Sequence, residues 1–173
     1  MIVREATAAD ARAIAEVHVE GWRWGYRGLL PDDVIDALDV DRREQQWVSG
    51  FTDDLHEGDV CFVAEDDAGR AIGFAAAGPA ADEHAAPPAD AGEVYAIYLR
   101  EVAKDRGVGR RLLGAVEDAL RAYGFPRAVL WVLEDNATAR TFYERAGWEW
   151  DGTRSEHRFD RANLPIVRYA REL

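Results

Sequence analysis

The chain has 173 residues, 48% hydrophobic and 31% charged, which is enough apolar material for one packed domain. Its formal net charge of −12 sets it against phosphate backbones and anionic membrane surfaces, and so against nucleic acid or a membrane as main partner. No apolar run approaches the ~20 residues of a membrane span, and Met1 to Glu5 lacks the basic and apolar regions of a signal peptide; a single cytoplasmic domain over 1–173 is expected.

Ile2 to Ala6 reads as a first strand, followed by a helix that Thr7 or Asp10 can cap. Ala11, Ile14, Ala15, Val17 and Trp22 recur near helical period. Trp22 to Pro31 reads as an aromatic linker with glycines, Pro31 opens a second helix, and Asp41 to Phe51 forms a third. Asp59–Glu65 and Ala71–Gly78 flank an Asp-Asp-Ala-Gly turn, which predicts a hairpin. Pro79 to Gly92, rich in Ala, Pro and Asp, reads as a mobile loop. Glu93 to Leu99 is a strand. The segment from Gly107 to Tyr123 is an amphipathic helix with Val108, Leu112, Leu113, Val116, Ala119, Leu120 and Tyr123 on one face, ended by Gly124. Arg127–Leu133 is a strand, Asn136–Ala146 a helix stopped by Gly147, and Trp148–Arg154 and Leu164–Arg171 two last strands. Hairpins followed by a strand–helix–strand unit predict an α/β (α+β) domain, a mixed sheet with helices on both faces.

The single cysteine, Cys61, lies in an apolar strand and reads as a small core residue; it has no partner for an intrachain disulfide, which suits a reducing compartment. The four histidines (His18, His56, His84, His157) show no metal-ligand spacing, so no metal is expected.

The chemistry sits between Glu93 and Trp148. Lys104-Asp105-Arg106-Gly107-Val108-Gly109-Arg110-Arg111 joins a strand to a helix start and holds four basic residues against one acidic, in a chain of net charge −12. Helix N-termini offer unpaired N–H groups and partial positive charge, and glycines let a backbone approach a ligand closely; together they suit a pyrophosphate. The Walker ending Gly-Lys-Ser/Thr is missing, and Leu112 replaces the third glycine of the dinucleotide fingerprint.

Asn136, Ala139, Phe142, Tyr143, Gly147 and Trp148 follow this loop in a second pattern. With the glycine loop and Tyr95-Ala96-Ile97-Tyr98-Leu99 before it, the chain resembles the GNAT superfamily of N-acetyltransferases over essentially its whole length. The resemblance implies a mixed, mostly antiparallel sheet, here of about seven strands, with helices on both faces. It implies acetyl-CoA as cosubstrate, no metal, and an amine acceptor (a small molecule or a peptide N-terminus), which the acidic chain would favour as a cation. It leaves a homodimer open.

By the same resemblance, Lys104, Arg106, Gly107, Val108, Gly109, Arg110 and Asn136 would hold the CoA pyrophosphate and arm. The backbone of Ile97 and Leu99 would meet the acetyl and pantetheine groups. Glu93 would be the general base, Tyr143 the proton donor to the departing thiolate, and Trp22, Trp24 and Tyr26 the acceptor pocket. Residue chemistry agrees: an amine must be neutral to attack a thioester, and at pH 7 only about one lysine-type amine in a thousand is. Two departures stand out. Lys104 replaces the usual Gln or Arg, and Asp105 occupies a common glycine position beside the phosphates, which predicts weakened CoA binding. A non-catalytic acyl-CoA-binding module is the alternative; the presence of both Glu93 and Tyr143 favours the enzyme.

Overall fold

A computed structural model describes residues 1–52, 56–159 and 162–173. Seven strands form one sheet in the order β1-β2-β3-β4-β5-β7-β6. They are β1 (Ile2–Glu5), β2 (Val60–Glu65), β3 (Ala71–Pro79), β4 (Ala91–Leu99), β5 (Arg127–Leu133), β6 (Glu149–Phe159) and β7 (Ala162–Glu172). Every neighbouring pair is antiparallel except β4 and β5. The helices are α1 (Ala11–Gly25), α2 (Asp32–Asp36), α3 (Val40–Thr52), α4 (Val108–Tyr123) and α5 (Ala137–Arg145).

Helices cover both faces. On one, α1 sets Ile14 and Val17 against Cys61, Val63, Phe74 and Ala76, and Trp47 and Phe51 of α3 pack on the same cluster. On the other, Val108, Leu112, Leu113, Val116 and Leu120 of α4 join Tyr143 and Ala146 of α5. Each fully buried leucine here contributes about 1.5–3 kcal/mol. β3, beside the central strand β4, is rich in Ala and Gly and is buried on both sides, so helices can approach closely. A Cβ at Gly73 would come within 2.5 Å of a Leu99 methyl, and one on Gly21 of α1 within 3.1 Å of the Leu99 carbonyl oxygen.

The parallel pairing of β4 with β5 is short. It runs from Ala91↔Arg127 to Val94↔Leu130 and then stops. β4 continues to Leu99 along β3, while β5 continues to Leu133 along β7. A register shift opposite Ala76/Ala77 leaves Tyr95 as the extra residue of a bulge on β4 at the point of separation. The two strands splay, and a wedge opens between them.

Four expectations are corrected. Trp22 to Gly25 is no linker: α1 continues through it, because its apolar spacing simply persists. Tyr123 leaves the apolar face of α4 at 48% exposure and stacks on Phe125 beyond the Gly124 stop. The strand expected over Trp148–Arg154 begins at Glu149 and runs on to Phe159 as β6; positions 160 and 161 lie outside the described residues. The 79–92 loop shortens, since β4 starts at Ala91.

On the inward side of α4, Glu117 is buried, accepting from Trp148 Nε1–H at 2.8 Å and pairing with Arg171 at 3.1 Å. Removing one partner of such a pair strands a buried charge. Arg171→Ala should therefore cost about 2–4 kcal/mol in urea unfolding, against under about 1 kcal/mol for Arg121→Ala, whose pair with Asp118 is solvent-exposed.

Candidate active site in the strand wedge

A cleft of about 1400 Å³ follows the wedge from the start of α4 past β4 to the ends of α1 and β6. In an antiparallel pair the backbone polar groups alternate between facing the partner strand and facing away. Arg100 N–H bonds the Ile72 carbonyl, so the backbone groups of Ile97 and Leu99 face away from β3, toward the wedge that β5 has vacated. Their side chains pack with the α4 cluster, as expected of core residues.

One end of the cleft is an anion cradle. Gly107 caps α4 in the left-handed region (φ +76°), and the first helical bond is Arg111 N–H to the Gly107 carbonyl, at 3.1 Å. The N–H groups of Val108, Gly109 and Arg110 thus have no intrahelical acceptor and meet the positive end of the helix dipole. A Cβ on Gly109 would touch the Phe142 ring at 3.4 Å, so this residue keeps the entry narrow and close to backbone. Lys104 and Arg110 lie in the wall, whereas Arg106 is exposed and outside it. Asn136 caps α5, its Oδ1 accepting from Ala139 N–H at 3.0 Å, and it also lines the cleft. A cradle of backbone donors with flanking cations fits the diphosphate of a coenzyme A molecule.

Asp105 now has a physical reason. Its φ is +58°, one of two positive values at non-glycine residues described, and aspartate tolerates that region better than most side chains. The position asks for glycine by its backbone and holds a carboxylate beside the cradle.

In the middle, Glu93 of β4 and Tyr143 of α5 both line the cleft. The Glu93 carboxyl accepts a 3.3 Å bond from Ala81 N–H. Burial, helped by nearby Glu83, outweighs that bond and Arg168, and pushes its pKa up to about 7. Tyr143 is buried, and burial raises its hydroxyl well above the ordinary range, so it keeps its proton. No group among the described residues takes that proton in a hydrogen bond. Cys61 lies in the core away from the cleft, its thiol pushed up to about 12 by burial.

The far end is aromatic. Trp22 packs on Tyr26 (5.1 Å, edge-on) and on Phe159 (5.6 Å), and the Tyr26 and Tyr98 hydroxyls meet at 3.2 Å. Trp24 departs from this group: its indole donates to the Leu99 carbonyl at 2.9 Å and Lys104 lies over its ring. It therefore helps shape the cradle side and occupies a carbonyl expected to face pantetheine.

Residues that the sequence did not single out complete the walls. His18, Arg43, Tyr98, His84, Trp131 and Phe159 all face the cleft. The 79–92 loop is fastened, with the His84 carbonyl accepting from Ser155 Oγ, the Ala86 carbonyl from Arg168, and His84 Nε2 3.3 Å from His157 Nδ1. His84 and His157, with Glu83, bring three ligand-type atoms within 4.8 Å of one another. They are 73 residues apart, so no sequence spacing could have paired them.

The comparisons with known proteins agree with this geometry. The model of the acetyltransferase (GNAT) family matches residues 19–148. An uncharacterized N-acetyltransferase of Bacillus subtilis, YuaI, is 37% identical over 82% of this chain and 76% of its own. The chain belongs to the GNAT family of acetyltransferases. It is an acetyl-CoA-dependent N-acetyltransferase. A spermidine N(1)-acetyltransferase of Thermoplasma acidophilum is 20% identical over 87% of this chain and 89% of its own. The fold matches that of the PaiA N-acetyltransferase of the same organism, solved with coenzyme A, at TM-score 0.74 and 19% identity over 99% and 98% of the two chains. No described helix of this acetyltransferase is long and apolar enough to cross a membrane.

Replacing Asp105 with glycine removes both the backbone cost and the negative charge. Asp105→Gly is expected to tighten coenzyme A binding by about threefold to tenfold in calorimetry at low salt, an advantage that shrinks as salt screens the charge.

Proposed function

We propose that this acetyltransferase moves the acetyl group of acetyl-CoA directly onto a primary amine, with Glu93 taking the amine's proton and Tyr143 supplying one to the departing sulfur. The observation that carries the reading is Glu93: a carboxyl raised to about 7, in the same cleft as a fully protonated tyrosine. A base is most useful when its pKa lies near the working pH. Acetyl-CoA supplies the acetyl group already activated as a thioester.

The chain's own residues supply the rest. The N–H groups of Val108, Gly109 and Arg110, with Lys104 and the Asn136 amide, hold the phosphates and arm. The outward backbone of Ile97 and Leu99 aligns the reacting end along β4, which confines both reactants in one groove. Glu93, once ionised, accepts the proton that the attacking amine must lose. The Tyr143 hydroxyl keeps its proton until a thiolate, whose thiol has an ordinary pKa near 8.5, needs it. The inert, buried Cys61 supports direct transfer over a protein-bound acyl group. The spermidine relative, by its name, acetylates an amine, which supports an amine acceptor here.

Activity and stability should move in opposite directions with pH. The folded carboxyl holds its proton up to about 7, against an ordinary 4.5. Between those values the folded state binds the extra proton, so Glu93 favours folding at low pH and that contribution is lost as pH rises through about 7. Activity needs the ionised form and rises over the same window. Glu93→Gln should lower kcat/KM about 100-fold and erase the inflection near 7, while making the melting temperature at pH 8 equal to or above that of the parent. Tyr143→Phe should lower kcat about tenfold or more and leave the KM for acetyl-CoA nearly unchanged. A Glu93→Gln enzyme with the parental pH profile would remove Glu93 from the reaction.

A further inference from the structure

The aromatic end of the cleft contains a cation with no carboxylate partner among the described residues. Arg43, in the first turn of α3, is half-buried and lines the cleft, its guanidinium carbon 5.7 Å from the centre of the Trp22 ring. Three other arginines drawn into the fold are matched to carboxylates: Arg100 to Glu16 and Glu20, Arg168 to Asp151, Arg171 to Glu117. Among the described residues, none provides a carboxylate to Arg43. Burying a cation without a counter-ion is unfavourable, and a retained one points to a partner that arrives from outside.

Its neighbours lack the same thing. The Trp22 indole N–H is buried and makes no well-formed hydrogen bond among the described residues, with only the Tyr98 hydroxyl near it. His18, stacked on Tyr98 at 4.7 Å, receives Trp47 Nε1–H at its Nδ1, at 3.3 Å, so its own proton sits on Nε2. Burial and the adjacent Arg43 keep that imidazole neutral, its pKa pushed down to about 3. The unmet polar capacity of this pocket is thus donor capacity: a guanidinium and an indole N–H, set among Trp22, Tyr26, Tyr98 and Phe159. A polyamine brings only further donors and a repelled cation. An oxyanion brings the acceptors, and a guanidinium can grip it through two parallel hydrogen bonds.

We propose that the acceptor is a small primary amine that also carries an oxyanion, a carboxylate or phosphonate docked on Arg43 while the amino group is presented to Glu93. This rests on amine acetylation as the reaction and specifies its substrate class. The net charge of −12 favours a cation over the surface as a whole; the pocket reverses that preference locally.

Matched acceptors test it. Initial rates of thiol release from acetyl-CoA would be measured with L-amino acids, with the amines left by removing their carboxylate (tyrosine and tyramine, tryptophan and tryptamine, ornithine and putrescine), and with aminoalkylphosphonates. The oxyanion-bearing members should exceed their plain amines by more than about tenfold in kcat/KM, with carboxylate or phosphonate identified by whichever series leads. Arg43→Gln should raise KM for that series about 30-fold, with a smaller change in kcat, and collapse the ratio toward one; Arg43→Lys should recover part of it. A general loss of structure would lower both series together and leave the ratio intact. Equal or better turnover of plain amines by the parent enzyme overturns the proposal, as does a ratio left unchanged by an Arg43→Gln enzyme whose circular dichroism and melting temperature match the parent's. If Arg43→Gln does not fold, the ratio in the parent enzyme decides alone. Transfer to neither series, while acetyl-CoA still binds, overturns amine acetylation itself, which is a distinguishable result.

Discussion

The rest of the molecule depends on where β4 and β5 stop pairing. Four residue pairs, from Ala91↔Arg127 to Val94↔Leu130, hold the halves of the sheet together. Beyond them each strand stays bonded to its outer neighbour, β4 to β3 and β5 to β7, so separation exposes only the inward backbone edges. A buried backbone edge requires partners. A cosubstrate with a peptide-like arm can supply them along Ile97 and Leu99, which makes the wedge a binding groove and not a defect. The bulge at Tyr95 sits at the point of divergence, and Glu93 lies just before it. The helices are arranged around the same point: the N-termini of α4 and α5 open onto the groove from one side and the end of α1 from the other.

Charge is partitioned along that groove. The chain as a whole is strongly acidic, yet the α4 entry presents backbone donors with Lys104 and Arg110, and the aromatic end presents Arg43. Glu93 lies between these donor-rich regions, in enough burial that its proton is lost only near neutrality. Cationic contacts for both reactants, in a groove that also holds the half-buried Glu93 carboxyl, suit moving one proton while two ligands are held in place. The ion pairs elsewhere have a different task. Arg100 with Glu16 and Glu20 ties α1 to the end of β4, and Arg168 ties the 79–92 loop to β6 and β7.

The element order was legible because each element carries local punctuation. Gly107, Gly124 and Gly147 adopt positive φ at helix boundaries, Asn136 caps α5 through its side chain, and the apolar spacing of α4 predicts the residues that are buried. The glycine loop and the Asn136–Trp148 pattern were legible for the same reason, since a helix N-terminus and its cap are local features. What was not legible is long-range. Arg43, His18 and Tyr98 meet only because α3, α1 and β4 converge, and nothing in the sequence around Arg43 distinguishes it from Arg42 beside it. Glu117 sits on the buried side of α4, where a polar residue looks like an error until Trp148 and Arg171 reach it from distant strands. α1 runs past Trp22 because tertiary packing against Leu99 and Tyr98 overrides the local break signal of its aromatic and glycine residues and uses Gly21 for the close approach.

The central claim is that acetyl-CoA occupies the wedge between β4 and β5. Hydrogen–deuterium exchange of the intact protein with and without coenzyme A tests it most directly. Slowed exchange is expected at the amides of Ile97 and Leu99 and at Val108, Gly109 and Arg110, with the β6–β7 pairing little changed. Unaltered exchange at both of those sites, with protection elsewhere on the molecule, would contradict it.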